Sequence, residues 1–560
     1  MADSANLIWS DGNNVVWSDG DNAITSGEPS VPSPYVNRGG VVWLNLEEPD
    51  DGCATIPWQD AFQLARSWVS HQASPFVWEG GPGATLDSDG WPTALGVNEW
   101  IDAIIFSGQD RNMPSGRYVI TYDGTATIEP YISGNGGSLT EVLNTPGRIE
   151  IDLTPSDNLF ALRIKAISSA VSNIRVILPG MEATYATEVF HPTFTQRIKD
   201  LGVTCLRMMD WGQTNDSTLV NWADRTTLTS HSQAAGKMGV AVEYMVDLCN
   251  ATGCDLWYCV PHEASDAFCT SAAQLIQSRL DSNLRVILEY SNEVWNGQFD
   301  QADYCETEGV TLGLGPDDNR SKLRYYAQRA MEIKALFQAE FSAEPGRLLM
   351  VAGGQARNSF TGTEVMDWNP DTASLDSSTV SQRWDALAIA PYFGNKFGTD
   401  AEVATTLTWS VRRLLAECLA DMEDLYDAST GEVYQNIDEA RTRGIGVVAY
   451  EGTQHLVGVE GNENNDTLTA LFHAANRHPF MAACVLADLN RWELETADVP
   501  LDANARCGGF GLFTLSWAPS KFGAWGLIEY EGQPSTQAHK WRAVQAWRKG
   551  LYGPVTWGDA

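Results

Sequence analysis

The chain is 560 residues long, with 43% hydrophobic and 10% aromatic residues, which suits a globular protein of one large and one smaller domain and excludes a disordered chain. Its 36 basic residues against 72 acidic ones leave a formal charge of −36, which argues against nucleic acid and anionic membrane as partners. No apolar run reaches the roughly 18 residues of a membrane span. The first residues, Met-Ala-Asp-Ser-Ala-Asn, have neither the basic region nor the apolar core of a signal peptide, so virion association, or the cytoplasm before assembly, is favoured over secretion.

Residues 1–35 read as an arm. Leu7-Ile8-Trp9-Ser10-Asp11-Gly12 returns as Val15-Val16-Trp17-Ser18-Asp19-Gly20, two short strands each closed by the Asp-Gly turn signal. The Pro-rich stretch 26–34 follows as a stiff linker. Segment 36–74 carries an apolar strand, Val41 to Leu46, and an expected helix from Trp58 to Val69. From 75 to 180 the pattern turns to β, with strands expected at 117–121, 147–153, 159–164 and 173–178 between Gly, Asn and Pro-rich turns. We expect a β-sandwich there. The remainder, 181–560, alternates strand and helix, with strands at 203–209, 255–261, 284–290, 347–352, 385–391, 446–450 and 511–517. Those seven strands need the one at Val41 to complete a (β/α)8 TIM barrel, so the fold class is α/β, with the β-sandwich inserted between the first helix and the second strand and a short N-terminal β arm. The competing arrangement makes 36–180 a separate domain and leaves the barrel one strand short.

Two strand ends carry the chemistry. Leu284-Arg-Val-Ile-Leu-Glu-Tyr-Ser-Asn-Glu-Val-Trp-Asn-Gly297 is an apolar strand ending in the polar cluster Ser291-Asn292-Glu293, and Gly446-Val-Val-Ala-Tyr-Glu-Gly452 ends in Glu451. Carboxylates at the carboxyl ends of two strands of one parallel barrel supply the pair that glycoside hydrolysis uses. Ser-Asn-Glu-Val-Trp-Asn and Tyr-Glu-Gly resemble the fourth-strand and seventh-strand signatures of clan A glycoside hydrolases, the retaining, cellulase-like (β/α)8 barrels, and the resemblance runs from about Val41 to Tyr552. The other strand ends fit the same pattern: Arg207 and Trp211 at the second, His262 at the third, Asn292 and Trp295 at the fourth, Tyr392 at the sixth and Trp517 at the eighth.

The resemblance implies double displacement on a β-linked polysaccharide. Arg207 and the Tyr392 hydroxyl favour an ionised carboxylate, which makes Glu451 the nucleophile. A neighbouring carboxylate and burial favour a retained proton, which makes Glu293 the acid/base. Asn292 is expected on the sugar 2-hydroxyl, and His262, Trp211, Trp295 and Trp517 at the walls of the sugar subsites. Several have a plainer reading: Arg207 as an interior ion-pair partner, His262 as a structural histidine, Trp295 and Trp517 as packing. Glu263 and Glu289 are not assigned catalysis. No metal or cofactor is expected, since the ten cysteines form no CxxC pair and read as reduced and buried, and no Gly-x-Gly-x-x-Gly follows a strand where an oxidoreductase would need it. A glycan-binding particle protein with little or no hydrolysis is the alternative. The Trp-Ser-Asp-Gly repeat resembles segments of phage structural proteins, which implies a particle or phage-tail partner for the arm.

Overall fold

The computed structural model describes residues 40–108, 112–234, 238–502 and 505–550, together with the backbone of three short strands before them. Eight parallel strands close into a barrel: Val42–Asn45, Cys205–Arg207, Asp255–Val260, Val286–Tyr290, Leu348–Gly353, Ala386–Ile389, Gly446–Ala449 and Phe510–Leu512. The first strand lies between the eighth, where Phe510 faces Val42, and the second, where Cys205 faces Trp43. It therefore completes the barrel, as the strand count requires.

The strands are apolar on both faces because both faces are covered. Leu44, Leu206, Leu256, Leu288, Met350, Leu387 and Val447 point outward into the main core shared with the helices. Trp43, Cys205, Trp257, Ile287, Val351, Ala386 and Val448 point inward and fill the barrel. Two residues further along each strand the side chain faces inward again. In the second and fourth strands those positions are Arg207 and Glu289, so a charged layer sits directly on the apolar one. The outer helices include Pro192–Leu201, Val242–Thr252, Asp266–Arg279, Asp318–Glu340 and Val411–Leu425. The last, His539–Arg548, buries Trp541, Val544 and Trp547 and closes the ring.

Between the first and second barrel strands lies one seven-stranded antiparallel sheet, ordered Ser138–Thr145, Arg148–Thr154, Gly116–Ser133, Leu159–Ile177, Glu99–Ser107, Val69–Ala73 and Phe76–Val77. The expected strands at 159–164 and 173–178 are the two ends of a single strand. It and Gly116–Ser133 bend at register shifts between Thr121 and Ile128. The bend folds the sheet over: Phe160 pairs with Ile132, yet its ring lies 6.0 Å from that of Tyr118. The two layers expected of a sandwich thus share their long strands.

The helix expected from Trp58 to Val69 does not form. Ala61–Leu64 make one 3₁₀ turn, and Val69 already starts a strand, inside the segment assigned to the barrel. All four residues of the turn are buried, so there is no polar face for a surface helix. Asp60 accepts from the backbone N–H groups of Phe62 and Val176, and Arg66 N–H donates to Ile104 O, which docks this stretch on the sheet. Bridges Trp58–Phe190 and Asp60–Ile177 hold the start and end of the insertion together.

The arm forms a sheet of its own from Asn6–Ser10, Asn14–Ser18 and Ala23–Ile24, with Leu7 opposite Trp17 and Trp9 opposite Val15. It has one strand more than the repeat predicts, and the linker at 26–34 lies outside the described residues. All ten cysteines are buried and form no disulfide. No helix among the described residues is long and apolar enough to cross a membrane.

Candidate active site

Arg207 is the hub of the carboxyl end of the barrel. Its side chain is 1% exposed and lies over the rings of Trp257 and Tyr450, with its guanidinium carbon 5.3 and 4.9 Å from their centroids. Nε and Nη2 donate to Glu289 Oε2 at 3.0 and 2.9 Å, and Nη2 also donates to Asn292 Oδ1 at 2.8 Å. Nη1 donates to Glu451 Oε1 at 2.9 Å and to Asn45 Oδ1 at 3.3 Å. A guanidinium buried this deeply is tolerable because its donors are used and two carboxylates answer its charge.

The two motif carboxylates have different companions. Glu451 accepts from Arg207 on Oε1 and from the Tyr392 hydroxyl on Oε2, the latter at 3.1 Å. Glu293 forms no ion pair with a cation among the described residues. It accepts from the Tyr450 hydroxyl at 2.9 Å and from Asn296 Nδ2 at 3.0 Å. Burial, and then the charge of Glu451, push the Glu293 carboxyl up to about 7. Burial also pushes Glu451 up, but Arg207 and Tyr392 pull against it. The pair titrates as a unit, and the carboxyl holding the guanidinium gives up its proton first. Burial and these carboxylates raise both phenols well above their ordinary range, so Tyr392 and Tyr450 remain donors.

The chain makes a tight turn at the end of the fourth strand to place these groups. Ser291 N–H still donates to Val260 O at 2.8 Å, while Ser291 and Glu293 adopt φ of 58° and 42°. Left-handed backbone at two non-glycine residues costs free energy and persists only where the surroundings enforce it. Here Asn292 is held from both sides: its Oδ1 by Arg207, its Nδ2 donating to Asn215 Oδ1 at 2.9 Å. Gln301 Nε2 locks the turn from below, donating to Asn215 Oδ1 at 2.7 Å and to Asn292 O at 2.9 Å.

The structure brings Arg207, Asn292, Glu293, Tyr392 and Glu451 into one cluster. The remaining sequence-predicted residues lie differently. Trp211 is 1% exposed and stacks between Trp58, at 5.4 Å, and Phe194, at 6.4 Å, so both its faces are occupied by the core. His262 is buried beside Tyr304 at the end of the third strand, kept neutral by burial, and its Nδ1 has no protein partner. Trp295 is partly exposed two residues beyond Glu293, with its indole N–H buried and without a protein partner. Trp517 is five residues past the end of the eighth strand, which stops at Leu512 rather than at 517. It borders a separate cleft with Pro519, His539 and Lys540.

Two rings instead lie beside Tyr392, His455 at 5.3 Å and Trp525 at 5.9 Å, themselves 5.0 Å apart. The loop of Trp525 is tied down by Lys540, whose Nζ donates to Ala524 O, Trp525 O and Asn476 Oδ1 at 2.5, 3.3 and 3.1 Å. Besides Glu289, the carboxyl of Asp210 lies near the pair; burial and then Glu451 push it up to about 8, and its Oδ2 has no hydrogen-bond partner among the described residues. The sequence reading also passed over Asn45, Asn215, Asn296, Gln301 and Tyr450. Tyr450 was within reach, since it sits inside the Tyr-Glu-Gly motif.

The barrel is similar to those of glycoside hydrolases. Solved structures with this likeness include the GH51 arabinofuranosidase from Xanthomonas axonopodis pv. citri, at 12% identity over 65% of this chain and 67% of that one, with a TM-score of 0.39. The CBM22-1–GH10 modules of an endo-1,4-beta-D-xylanase from Clostridium thermocellum, complexed with xylohexaose, align at 8% identity over 81% of this chain and 89% of that one, TM-score 0.34. A beta-glucosidase from Thermotoga maritima aligns at 11% identity over 64% and 86%, TM-score 0.32. No family model and no curated protein matches the sequence. Likeness at this level carries no argument, and the functional reading stands on the residues of the site.

Proposed function

We propose that this chain is a retaining glycoside hydrolase that cleaves β-linked polysaccharide. The observation that supports it most is the asymmetry of the carboxyl pair, one oxygen acid tied to a guanidinium and a phenol, the other held by neutral donors and pushed up to about 7. That is the division of labour double displacement needs. A Glu451 oxygen attacks the anomeric carbon while the bond to the leaving oxygen breaks and Glu293 gives that oxygen its proton. Water then attacks the same carbon, Glu293 takes the water's proton, and the ester bond to Glu451 breaks. In this reading Asn292, fixed by Arg207 and Asn215, meets the sugar 2-hydroxyl, and Trp295 and Trp525 flank the ring. The test is product analysis on a panel of β-linked glycans, with the anomeric configuration followed by proton NMR. Release of product with the configuration of the substrate is expected; the opposite anomer as first product would sink the nucleophilic role of Glu451.

The arm favours a second property alongside the first. Its strands pair only with one another among the described residues, and an isolated sheet of that size gains stability by adding to a partner. We assign it attachment, to a particle such as a phage tail. Removing residues 1–35 is expected to leave kcat/KM and the thermal unfolding transition of the barrel where they are. A truncated protein that unfolds early or stops turning over would place the arm within the enzyme.

A further inference from the structure

Glu289 stands four residues before Glu293 and takes no direct part in the chemistry just described. It is 1% exposed. One of its oxygens, Oε2, accepts from Arg207 Nε and Nη2, from Trp257 Nε1 at 2.8 Å and from the Cys259 thiol at 3.3 Å. The remaining nitrogen of the same guanidinium, Nη1, holds Glu451. One buried cation therefore serves two buried carboxylates, through different nitrogens.

We infer that Glu289 is a positioning residue that divides Arg207 between two carboxylates, leaving Glu451 incompletely neutralised in the resting site and keeping Arg207 paired once Glu451 has become an ester. The second half rests on the glycosidase reading; the first does not. With Arg207 ion-paired to both Glu289 and Glu451 and the acid proton on Glu293, as double displacement requires at its start, the four side chains sum to −1. When Glu451 bonds to the anomeric carbon and Glu293 loses its proton to the leaving oxygen, Glu451 becomes neutral and Glu293 carries −1. The sum is unchanged, and Arg207 still has Glu289. Without Glu289 the guanidinium would lose its direct ion-pair partner at that step, and an uncompensated buried charge is costly. With Glu289 absent from the resting site, Arg207 would also bind Glu451 alone and hold it as a more stable, less reactive carboxylate.

Titratable and charged groups face Glu451 from several elements: Arg207 and Asp210 from the second strand and its end, Cys259 from the third, Glu289 and Glu293 from the fourth, Tyr392 from beyond the sixth. Among them, Glu289 is the carboxylate that shares the Glu451 cation directly. The test needs no sugar. Glu451 is labelled with a water-soluble carbodiimide and glycinamide, which trap protonated carboxyls, across a pH series. Peptide mass spectrometry reads the extent against an exposed reference carboxyl in the same digest. Glu289→Gln is expected to move the Glu451 midpoint down by about 1 pH unit, the scale on which a neighbouring charge acts. Glu289→Asp, which keeps the charge, should stay near the wild-type midpoint. If Glu289→Gln does not fold, Glu289→Met removes the charge without an amide that needs partners and is read in the same way. An unchanged or raised midpoint in the neutral variant, or an equal shift in Glu289→Asp, overturns the inference. A protein that cleaves no glycan would overturn the functional reading and leave this midpoint to be judged by itself.

Discussion

Glu451→Gln is expected to lower kcat/KM by at least about 10⁴-fold, the scale of loss when a covalent nucleophile is removed. The substitution is nearly isosteric. Its amide oxygen can still accept from Arg207, and the fold should hold, so loss of activity with an intact thermal transition reads on chemistry alone. Wild-type kcat/KM carries the matching pH signature. The acid must be protonated, and Glu293 sits at about 7, so activity should fall as pH rises through about 7. It should also fall on the acid side as Glu451 takes up a proton. Both limbs are read from initial rates on whichever glycan of the panel is cleaved. Activity within about 100-fold of wild type in Glu451→Gln would move the nucleophile elsewhere, with Asp210 next in line because, unlike Glu289, it is a carboxyl near the pair that is not held by Arg207. A basic limb well above 7 would mean that Glu293 is not the acid.

Much of this site was legible because it obeys the rule that a parallel barrel puts its chemistry at strand ends. Arg207, Asn292, Glu293, Tyr392 and Glu451 were all found by reading where apolar runs stop. What escaped was set by packing that no local pattern reports. Glu289 looked like a bystander because it lies within a strand and not at its end. Period-two counting from Ile287 nevertheless sends it into the barrel, beside Cys259 in register and within reach of Arg207. Trp211 satisfied the strand-end rule and still became core, because Trp58 and Phe194 close over it from the two sides of the insertion. Trp525 lies in a loop without periodicity, and its place is set by the distant Lys540. The helix expected at Trp58–Val69 failed for a related reason: its apolar residues were real, but Ala61–Leu64 are buried on every side, which leaves that turn no solvent face. The strand Leu159–Ile177 was cut in two because the turn-like residues between 165 and 173 mark a bend, not an end, and Gly116–Ser133 was read only at 117–121, before its own bend.

Arg207→Met should damage stability and activity together, and the two losses can be separated. The side chain is buried and bridges Glu289, Glu451, Asn292 and Asn45. Removing it leaves two carboxylates inside the barrel without their cation. Breaking a buried pair by deleting one partner costs roughly 3–5 kcal/mol, so the variant should unfold several degrees below wild type in a thermal melt. The carboxylates will reduce that cost by taking up protons, which moves the acidic limb of any remaining activity to higher pH, opposite in sign to Glu289→Gln. Adding Glu289→Leu to Arg207→Met removes one stranded carboxylate and replaces it with an apolar side chain of similar size. Stability should then recover in part, because exchanging a buried ion pair for packed apolar groups is close to neutral. Activity should not recover, since Glu451 still lacks the guanidinium that keeps it ionised and Asn292 has lost the donor that orients it. A double variant no more stable than Arg207→Met would show that Glu289 is not bound to Arg207 by charge. A double variant that regained activity would show that Arg207 serves the fold and not the reaction.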